Sequence, residues 1–293
     1  MSKKLNIVLI VLLSVFAITL TSGLVYLINT DFNFNSINFS DNYSKKLVEE
    51  KEFDNIKNLD IKINVSDLIV EENNQNTIKV EIYSNNIKKY DISETKELIK
   101  VSVENKKTSF VNFGKAPYVK ITVPIGYNKI IAVDSRVGDV KIKKIKDATL
   151  NVKTETGDLK VDEIDKVTAI ISVGDIKINK VNKLISKSKT GDTKIGEVKN
   201  ISCKNTTGDI KINKVKESMV LETKTGDVKI ETAIISKNSS IISDVGDVKI
   251  QNTKGCYVEA KTNVGDTKIN NNDRKSDVVL TITSRIGDIK VNY

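Results

Sequence analysis

The sequence predicts an all-β fold, a single-stranded β-solenoid with coils of 17–22 residues, preceded by one N-terminal transmembrane helix. Three observations support this prediction. The motif Gly-Asp-x-Lys-(Ile/Val) occurs nine times in the second half of the chain, apolar and polar residues alternate on both sides of it, and a long uncharged stretch follows the N-terminus. A repeat of near-constant length is typical of one structural unit stacked on copies of itself.

The first element is the uncharged stretch. It follows the short segment 1–6, which contains Lys3 and Lys4, and occupies residues 7–28. As a helix this stretch would be about 33 Å long, which is enough to cross a bilayer. We therefore predict a transmembrane anchor or uncleaved signal at 7–28, with a cleaved secretory signal as the alternative. The two lysines predict a cytoplasmic N-terminus and a single-pass protein of the cell membrane whose C-terminal domain is extracellular.

Two segments lie between this stretch and the repeats. Residues 29–52 are polar and rich in Asn, and we interpret them as a stalk or linker. Residues 53–130 contain strand-like alternation, for example at 59–65, but lack the Gly-Asp motif. Because terminal repeats of a solenoid are usually atypical, we expect 53–130 to be a divergent β region that caps the solenoid of residues 131–293.

Each repeat is predicted to contain a strand before its Gly and a shorter strand after it. The second and fourth residues after the Gly are mostly aliphatic, as are the fifth and seventh before it, so these positions should point inward. The Gly lies where the alternation changes phase, which predicts a turn that needs positive φ or close backbone approach. The predicted structural turn residues are Gly138, Gly157, Gly174, Gly191, Gly208, Gly226, Gly246, Gly265 and Gly287.

The first and third residues after each Gly are Asp and Lys in every copy, and both should point outward. We interpret the two columns mainly as solvated charges that oppose side-by-side association of strands. The lysines are also the candidate surface-binding residues, because a basic surface near a bilayer attracts anionic lipid head groups and acidic polymers. They are Lys141, Lys160, Lys177, Lys194, Lys211, Lys229, Lys249, Lys268 and Lys290.

The composition disfavours several classes of function. The chain has no His, the commonest general base and metal ligand, and no Trp, and its aromatic content is 5%. We predict no enzyme, no catalytic, cofactor-binding or metal site, no cofactor and no nucleic-acid partner. A Ca²⁺-binding β-roll and a polysaccharide-acting β-helix enzyme are weaker alternatives, since each Asp is accompanied by a Lys and identical columns lack the local difference that catalysis needs.

The order of two motifs resembles that of a known family. Residues 118–124 end in Val123 and Pro124, and the first Gly138-Asp139 motif follows after an apolar stretch. In this order, and in the later Thr-Gly-Asp repeats, the chain is similar over about 53–293 to the bacterial putative adhesin family, DUF4097. The resemblance implies an exported, non-enzymatic β-strand repeat protein of the envelope. Members of that family often carry an N-terminal membrane segment, and some are associated with cell-envelope stress.

The sequence therefore favours a membrane-anchored envelope scaffold or adhesin-like binding module. Its expected partners are the membrane, through the N-terminal helix, and anionic envelope polymers, lipid head groups or another envelope protein. A self-assembling β-helical scaffold is the alternative. In that alternative the last coil, which stops soon after Gly287, would leave an open end whose backbone pairs with another copy.

Overall fold

The computed structural model describes residues 46–106, 116–270, 273 and 275–293. The regular elements in these ranges are β-strands that join in one continuous sheet, and the prediction of an all-β solenoid is confirmed. The predicted transmembrane segment 7–28 lies outside the described residues. Within the described ranges, no helix has the length and apolar character that crossing a membrane requires.

The strands fall into an N-terminal group and a repeat group. The N-terminal group comprises β1 (Leu47–Phe53), β2 (Asn58–Val65), β3 (Asp67–Asn73), β4 (Ile78–Tyr83), β5 (Ile87–Glu94), β6 (Leu98–Asn105) and β7 (Tyr118–Pro124). The repeat group comprises β8 (Ile130–Val137), β9 (Val140–Ile142), β10 (Ile145–Thr156), β11 (Leu159–Val173), β12 (Ile176–Thr190), β13 (Thr193–Thr207), β14 (Ile210–Thr225), β15 (Val228–Ile234), β16 (Ser239–Val245), β17 (Val248–Lys254), β18 (Tyr257–Val264), β19 (Thr267–Ile269), β20 (Val279–Ile286) and β21 (Ile289–Val291).

Each repeat forms one rung of the solenoid, named here by its Gly. Neighbouring rungs pair in parallel and in register, so that Leu159 of β11 faces Ile176 of β12 and Val167 faces Leu184. The pairing skips residues 162, 165 and 172, so the register of β11 with β12 is interrupted at three positions. The same repeat position therefore stacks on itself from rung to rung along the solenoid.

The inward columns form a single aliphatic core. In β11 the side chains of Leu159, Val161, Ile164, Val167 and Ala169 are all buried. Complete burial of a large aliphatic side chain stabilises the fold by about 1.5–3 kcal/mol. Because a rung can bury this face only against its neighbours, the stability of each rung depends on the rungs beside it.

A column of small polar residues runs inside the core, three positions before the Gly. Its buried members are Ser135, Thr154, Ser188, Asn205, Thr223, Ser243 and Ser284. The hydroxyl groups of Thr154, Ser188 and Thr223 have no hydrogen-bond partner among the described residues. Burial of a polar group without a partner is unfavourable, so these hydroxyls reduce the stability that the core provides.

The solenoid begins earlier than the Gly-Asp motif. Strands β2 and β3 stack in parallel on β8 and β9, with Ser66 and Asp67 at the corner that later rungs fill with Gly-Asp. Strands β6 and β7 stack in parallel on β2 and β3. The outer strands then pair antiparallel, β5 with β6, β4 with β7 and β1 with β4. Residues 47–52, which we assigned to the stalk, belong to β1, which pairs with β4.

The order of the last rungs in space differs from their order along the chain. Strand β20 pairs with β16 on one side and β18 on the other, and β21 lies between β17 and β19. The Gly287 rung is therefore inserted between the Gly246 and Gly265 rungs. Our expectation that the last coil forms the open end is wrong, since the Gly265 rung occupies that position.

Burial explains this arrangement. Leu280, Ile282 and Ile289 of the inserted rung are fully or almost fully buried, whereas Thr267 of the terminal rung is exposed. A rung with aliphatic side chains gains more from two flanking neighbours than a rung with Thr at an inward position.

Candidate binding surface

Each Gly-Asp corner begins with a close contact between the backbones of adjacent rungs. Gly191 has φ of 136°, a conformation that side chains disfavour, and a Cβ atom there would lie 2.1 Å from the carbonyl oxygen of Gly174. The N–H of each Gly donates to the carbonyl oxygen of the residue just before the Gly of the next rung. For example, Gly191 donates to Thr207, which precedes Gly208. The structure places all nine predicted turn glycines at such corners with positive φ.

The Asp beside each Gly joins its rung to the next one. Oδ1 of Asp175 accepts a hydrogen bond of 2.8 Å from the backbone N–H of Asp192, and Oδ1 of Asp192 accepts one of 3.0 Å from Asp209. The same contact connects Asp67, Asp139, Asp158, Asp175, Asp192, Asp209, Asp227, Asp247, Asp288 and Asp266 in that spatial order. We call this series the Asp ladder. It gives the N–H group of each Asp after the first a partner at a position where the chain turns.

The second oxygen of the ladder carboxylates binds Lys in several rungs. Oδ2 of Asp158 lies 3.1 Å from Nζ of Lys160, and Oδ2 of Asp209 lies 3.0 Å from Nζ of Lys211. In these rungs one carboxylate oxygen of the Asp thus accepts a hydrogen bond from the backbone of the next rung, and the other pairs with the Lys two residues later in the same rung. Ion pairs of this kind, part-exposed to solvent, contribute about 0–1 kcal/mol each.

Neighbouring charges on the first rungs shift the pKa values of Asp139 and Lys160. Burial raises the pKa of Asp139, but the backbone N–H of Asp158 and the ammonium groups of Lys160 and Lys141 outweigh it, and the pKa lies below its ordinary value. Burial lowers the pKa of Lys160, but the carboxylates of Asp158 and Asp139 together raise it by more, so that the pKa lies above its ordinary value. Both groups are therefore charged at neutral pH.

The structure separates the predicted surface-binding lysines into two sets. Lys141 is buried and lies 3.6 Å from Asp139, so its assignment to the surface is wrong; packing against Asp67 and Asp139 covers it. Lys160, Lys194 and Lys211 are half-buried and paired with ladder carboxylates, and Lys177 is also half-buried.

The remaining lysines lie together at the C-terminal end of the stack. We call Lys229, Lys249, Lys290 and Lys268, in their spatial order, the distal lysines. Three of them are exposed and Lys229 is half-buried. None has a carboxylate oxygen within 4.0 Å among the described residues. With the ladder residues of the same rungs they line a groove of about 390 Å³.

A different charge pattern occupies another corner of the solenoid. Glu163 lies 2.8 Å from Lys180 and 3.7 Å from Lys144, in the rungs on either side of it. Farther along, a hydrogen bond from Lys237 and another from Asn200 lower the pKa of Glu217 to about 2. Charges of alternating sign stack here, in contrast to the like charges of the Asp ladder.

The contact between each Asp and the next rung was not predicted. Alternation places Asp outward and suggested a column of solvated charge, whereas Oδ1 turns back along the stack to the backbone of the next rung. A signal was present, since the residue directly after Asp varies between Val, Leu, Ile and Thr while Asp never varies. A solvated charge alone would not require one residue type in every copy.

Comparison with known proteins identifies the family. The family model described as Toastrack DUF4097 matches residues 56–293. The chain belongs to the DUF4097 family. The resemblance that the sequence indicated is thereby confirmed. No curated protein sequence matches this DUF4097 chain significantly.

Several solved structures are similar to this DUF4097 protein. A putative adhesin from Bacteroides fragilis has 17% identity and a TM-score of 0.42, with 85% of this chain and 98% of that chain covered. A putative lipid binding protein from Parabacteroides distasonis has 13% identity and a TM-score of 0.45, with coverage of 83% and 96%. A putative adhesin from Parabacteroides merdae has 14% identity and a TM-score of 0.36, with coverage of 85% and 97%.

The described residues contain no group of three or more His, Cys, Asp or Glu side chains that could hold a metal ion. In the Asp ladder, one carboxylate oxygen of each residue up to Asp288 is engaged by the following rung. The geometry of the ladder is thus that of a structural repeat, and its chemistry changes little from rung to rung.

Proposed function

We propose that this DUF4097 protein is a non-enzymatic scaffold or binding module of the cell envelope. It is anchored in the cell membrane by residues 7–28, with its solenoid on the extracellular side. The single observation that supports this best is the repeated corner, in which the same Gly, Asp and Lys groups recur without converging on one distinct reactive site. A stack of this kind provides a long ordered surface for contact with extended partners.

The anchor and its orientation are tested in cells that produce the full chain. We expect the protein to fractionate with membranes, to retain residues 1–28, and to lose its solenoid epitope when intact cells are treated with protease. Replacement of Leu12 and Leu13 by Asp should release or mislocalise the protein, because charge within an apolar span is costly. A mature N-terminus beyond residue 28, or a solenoid protected in intact cells, would contradict the proposal.

The distal lysines are the proposed contact for an anionic envelope polymer or lipid head group. Their ammonium groups lie on long side chains, lack ion pairs among the described residues, and border one groove. In three of these rungs the carboxylates of Asp227, Asp247 and Asp288 each have one oxygen bound to the backbone N–H of the neighbouring rung. The net charge of the chain, +9, adds long-range attraction for acidic polymers.

Binding of purified full chain in nanodiscs to an acidic wall polymer tests this contact. Replacement of the distal lysines by Gln should weaken binding at least tenfold, and added salt should weaken the binding of the unmodified protein. The matched control replaces Lys153, Lys187, Lys189 and Lys224, which are exposed on another face, and removes the same charge. Equal loss in the two variants, or binding that is insensitive to salt, would count against a local contact.

A connection with cell-envelope stress follows from the family resemblance and is part of the same proposal. If the protein takes part in that response, deletion of its gene should change the activity of an envelope-stress reporter after exposure to a wall-active antibiotic. The unmodified gene should restore the response. A reporter that responds identically with and without the gene would remove this part of the proposal.

A further inference from the structure

The inserted Gly287 rung lies between two rungs that do not pair with each other, and we call its place the slot. One wall of the slot is formed by β16 and β17, and the other by β18 and β19. In every preceding pair of Gly-Asp rungs, spatial neighbours are also neighbours along the chain. Here the chain passes over one rung position, forms the Gly265 rung, and then fills the omitted position with residues 279–291.

The slot selects for a Gly-Asp segment. A Cβ atom at residue 287 would lie 2.2 Å from the carbonyl oxygen of Gly246, so the corner of the incoming segment must be Gly. The next residue donates its N–H to Oδ1 of Asp247 at 2.8 Å, and its own Oδ1 accepts from Asp266 at 2.9 Å. The inward side chains Leu280 and Ile282 complete the core between the walls.

The segment that meets these requirements consists of residues 279–293. The rungs up to Gly246 are stacked in sequence order, so their mutual pairing does not depend on the final segment. A second copy of the chain carries an identical segment and can make the same backbone and core contacts. Exchange of an identical element is a low-cost route to association, because the native contacts are conserved.

We propose that the slot between the Gly246 and Gly265 rungs accepts residues 279–293 from a second copy, and that two copies exchange these segments reciprocally. The interaction surface is thus an internal one, formed by the strand edges that flank the slot. This inference does not rest on the proposed anchor or on the distal lysines. It also differs from end-to-end stacking, since the partner enters the stack instead of extending it.

Cysteine cross-linking in the full chain tests the exchange. Ser240 faces Thr281 in the register of β16 and β20, and neighbouring strands lie about 4.8 Å apart, within the range for a disulfide. Two differently tagged full-length chains, one with Ser240→Cys and one with Thr281→Cys, are produced in the same cell and exposed to mild oxidant. We expect a disulfide-linked heterodimer, because these two cysteines meet across chains only when a segment is exchanged.

The matched control pairs Ser202→Cys with Val220→Cys, which face each other in rungs that are stacked in sequence order. Both control positions are exposed, so random collision should give a similar background. We expect several-fold more heterodimer from the Ser240→Cys and Thr281→Cys pair than from this control. A second pair, Ile242→Cys with Thr283→Cys, should give the same result. Heterodimer no more abundant than the control in both pairs would overturn the proposal.

Discussion

At the residue scale, the Gly corner combines an unfavourable φ with a close backbone contact. We expect Gly191→Ala to lower the free energy of unfolding by about 3 kcal/mol or more, because it adds backbone strain and a clash with the carbonyl of Gly174. Gly126→Ala is the control, since Gly126 has φ of 77° but open space around its Cβ position. It should cost about 1–2 kcal/mol. Equal effects in urea unfolding would show that the close contact is unimportant.

The Asp ladder predicts different results for two replacements of Asp192. Asp192→Ala removes the acceptor for the N–H of Asp209 and should destabilise the protein by about 1–3 kcal/mol. Asp192→Asn retains an oxygen acceptor and loses mainly the part-exposed ion pair with Lys194, which is worth about 0–1 kcal/mol. Urea midpoints compare the two variants. If Asn proves as destabilising as Ala, charge rather than the backbone contact explains the Asp.

The internal polar column offers a stabilising substitution. Thr223→Val keeps the shape of the side chain and removes a buried hydroxyl without a partner among the described residues. We expect the free energy of unfolding to increase by about 1 kcal/mol, measured by urea denaturation. Thr225→Val, at an exposed position of the same strand, should have almost no effect. A loss of stability in Thr223→Val alone would indicate that its hydroxyl makes a favourable contact.

The inward aliphatic positions and the Gly corners could be predicted because alternation and φ restrictions are local properties of the sequence. The residues seven positions after the Gly, for example Ile164 and Val198, follow the same alternation and are buried. The burial of Lys141 could not be predicted, since it depends on Asp67 from a segment that lacks the Gly-Asp motif. Contacts between distant repeats and divergent segments leave no periodic signal.

At the element scale, the terminal Gly265 rung depends on the inserted rung. Among the described strands, β18 pairs with β20 and β19 pairs with β21. Deletion of residues 279–293 should therefore expose the amides of 257–269 to rapid hydrogen exchange, because their strand partners are lost. Amides of β12 and β13 should stay protected, since their neighbours are intact. Mass spectrometry measures both regions, and continued protection of 257–269 would contradict this dependence.

The insertion itself could not be predicted from the repeat spacing. The step of 22 residues before Gly287 is the longest in the chain and is the one irregularity that the sequence displays there. Whether the Gly265 rung or the Gly287 rung occupies the end of the stack depends on which of them gains more burial of apolar side chains from two neighbouring rungs. Thr267 is exposed while Ile289 is buried, and this difference becomes decisive only when the alternative stacks are compared.

At the scale of the whole molecule, acid should destabilise the solenoid. The pKa of Glu217 is lowered to about 2 and that of Asp139 is also lowered, so the unfolded chain binds protons at higher pH than the folded chain. Their stabilisation is complete above the ordinary values of about 4–4.5 and is lost as pH falls toward 2. Urea midpoints should fall over this range, and Glu217→Gln should flatten the fall. A midpoint that rises in acid would contradict the assigned shifts.

The central claim is that stacked rungs form a solenoid in which the final rung is inserted out of sequence order. Two double variants test it directly under dilute, oxidising conditions. Spatial neighbours in the structure predict rapid disulfide formation in Ser240→Cys/Thr281→Cys, within one chain or between the two chains of an exchanged dimer, and little in Ser240→Cys/Glu259→Cys, whose strands are separated by β20. Efficient cross-linking of Ser240→Cys/Glu259→Cys, with none in the first variant, would show that the rungs stack in sequence order.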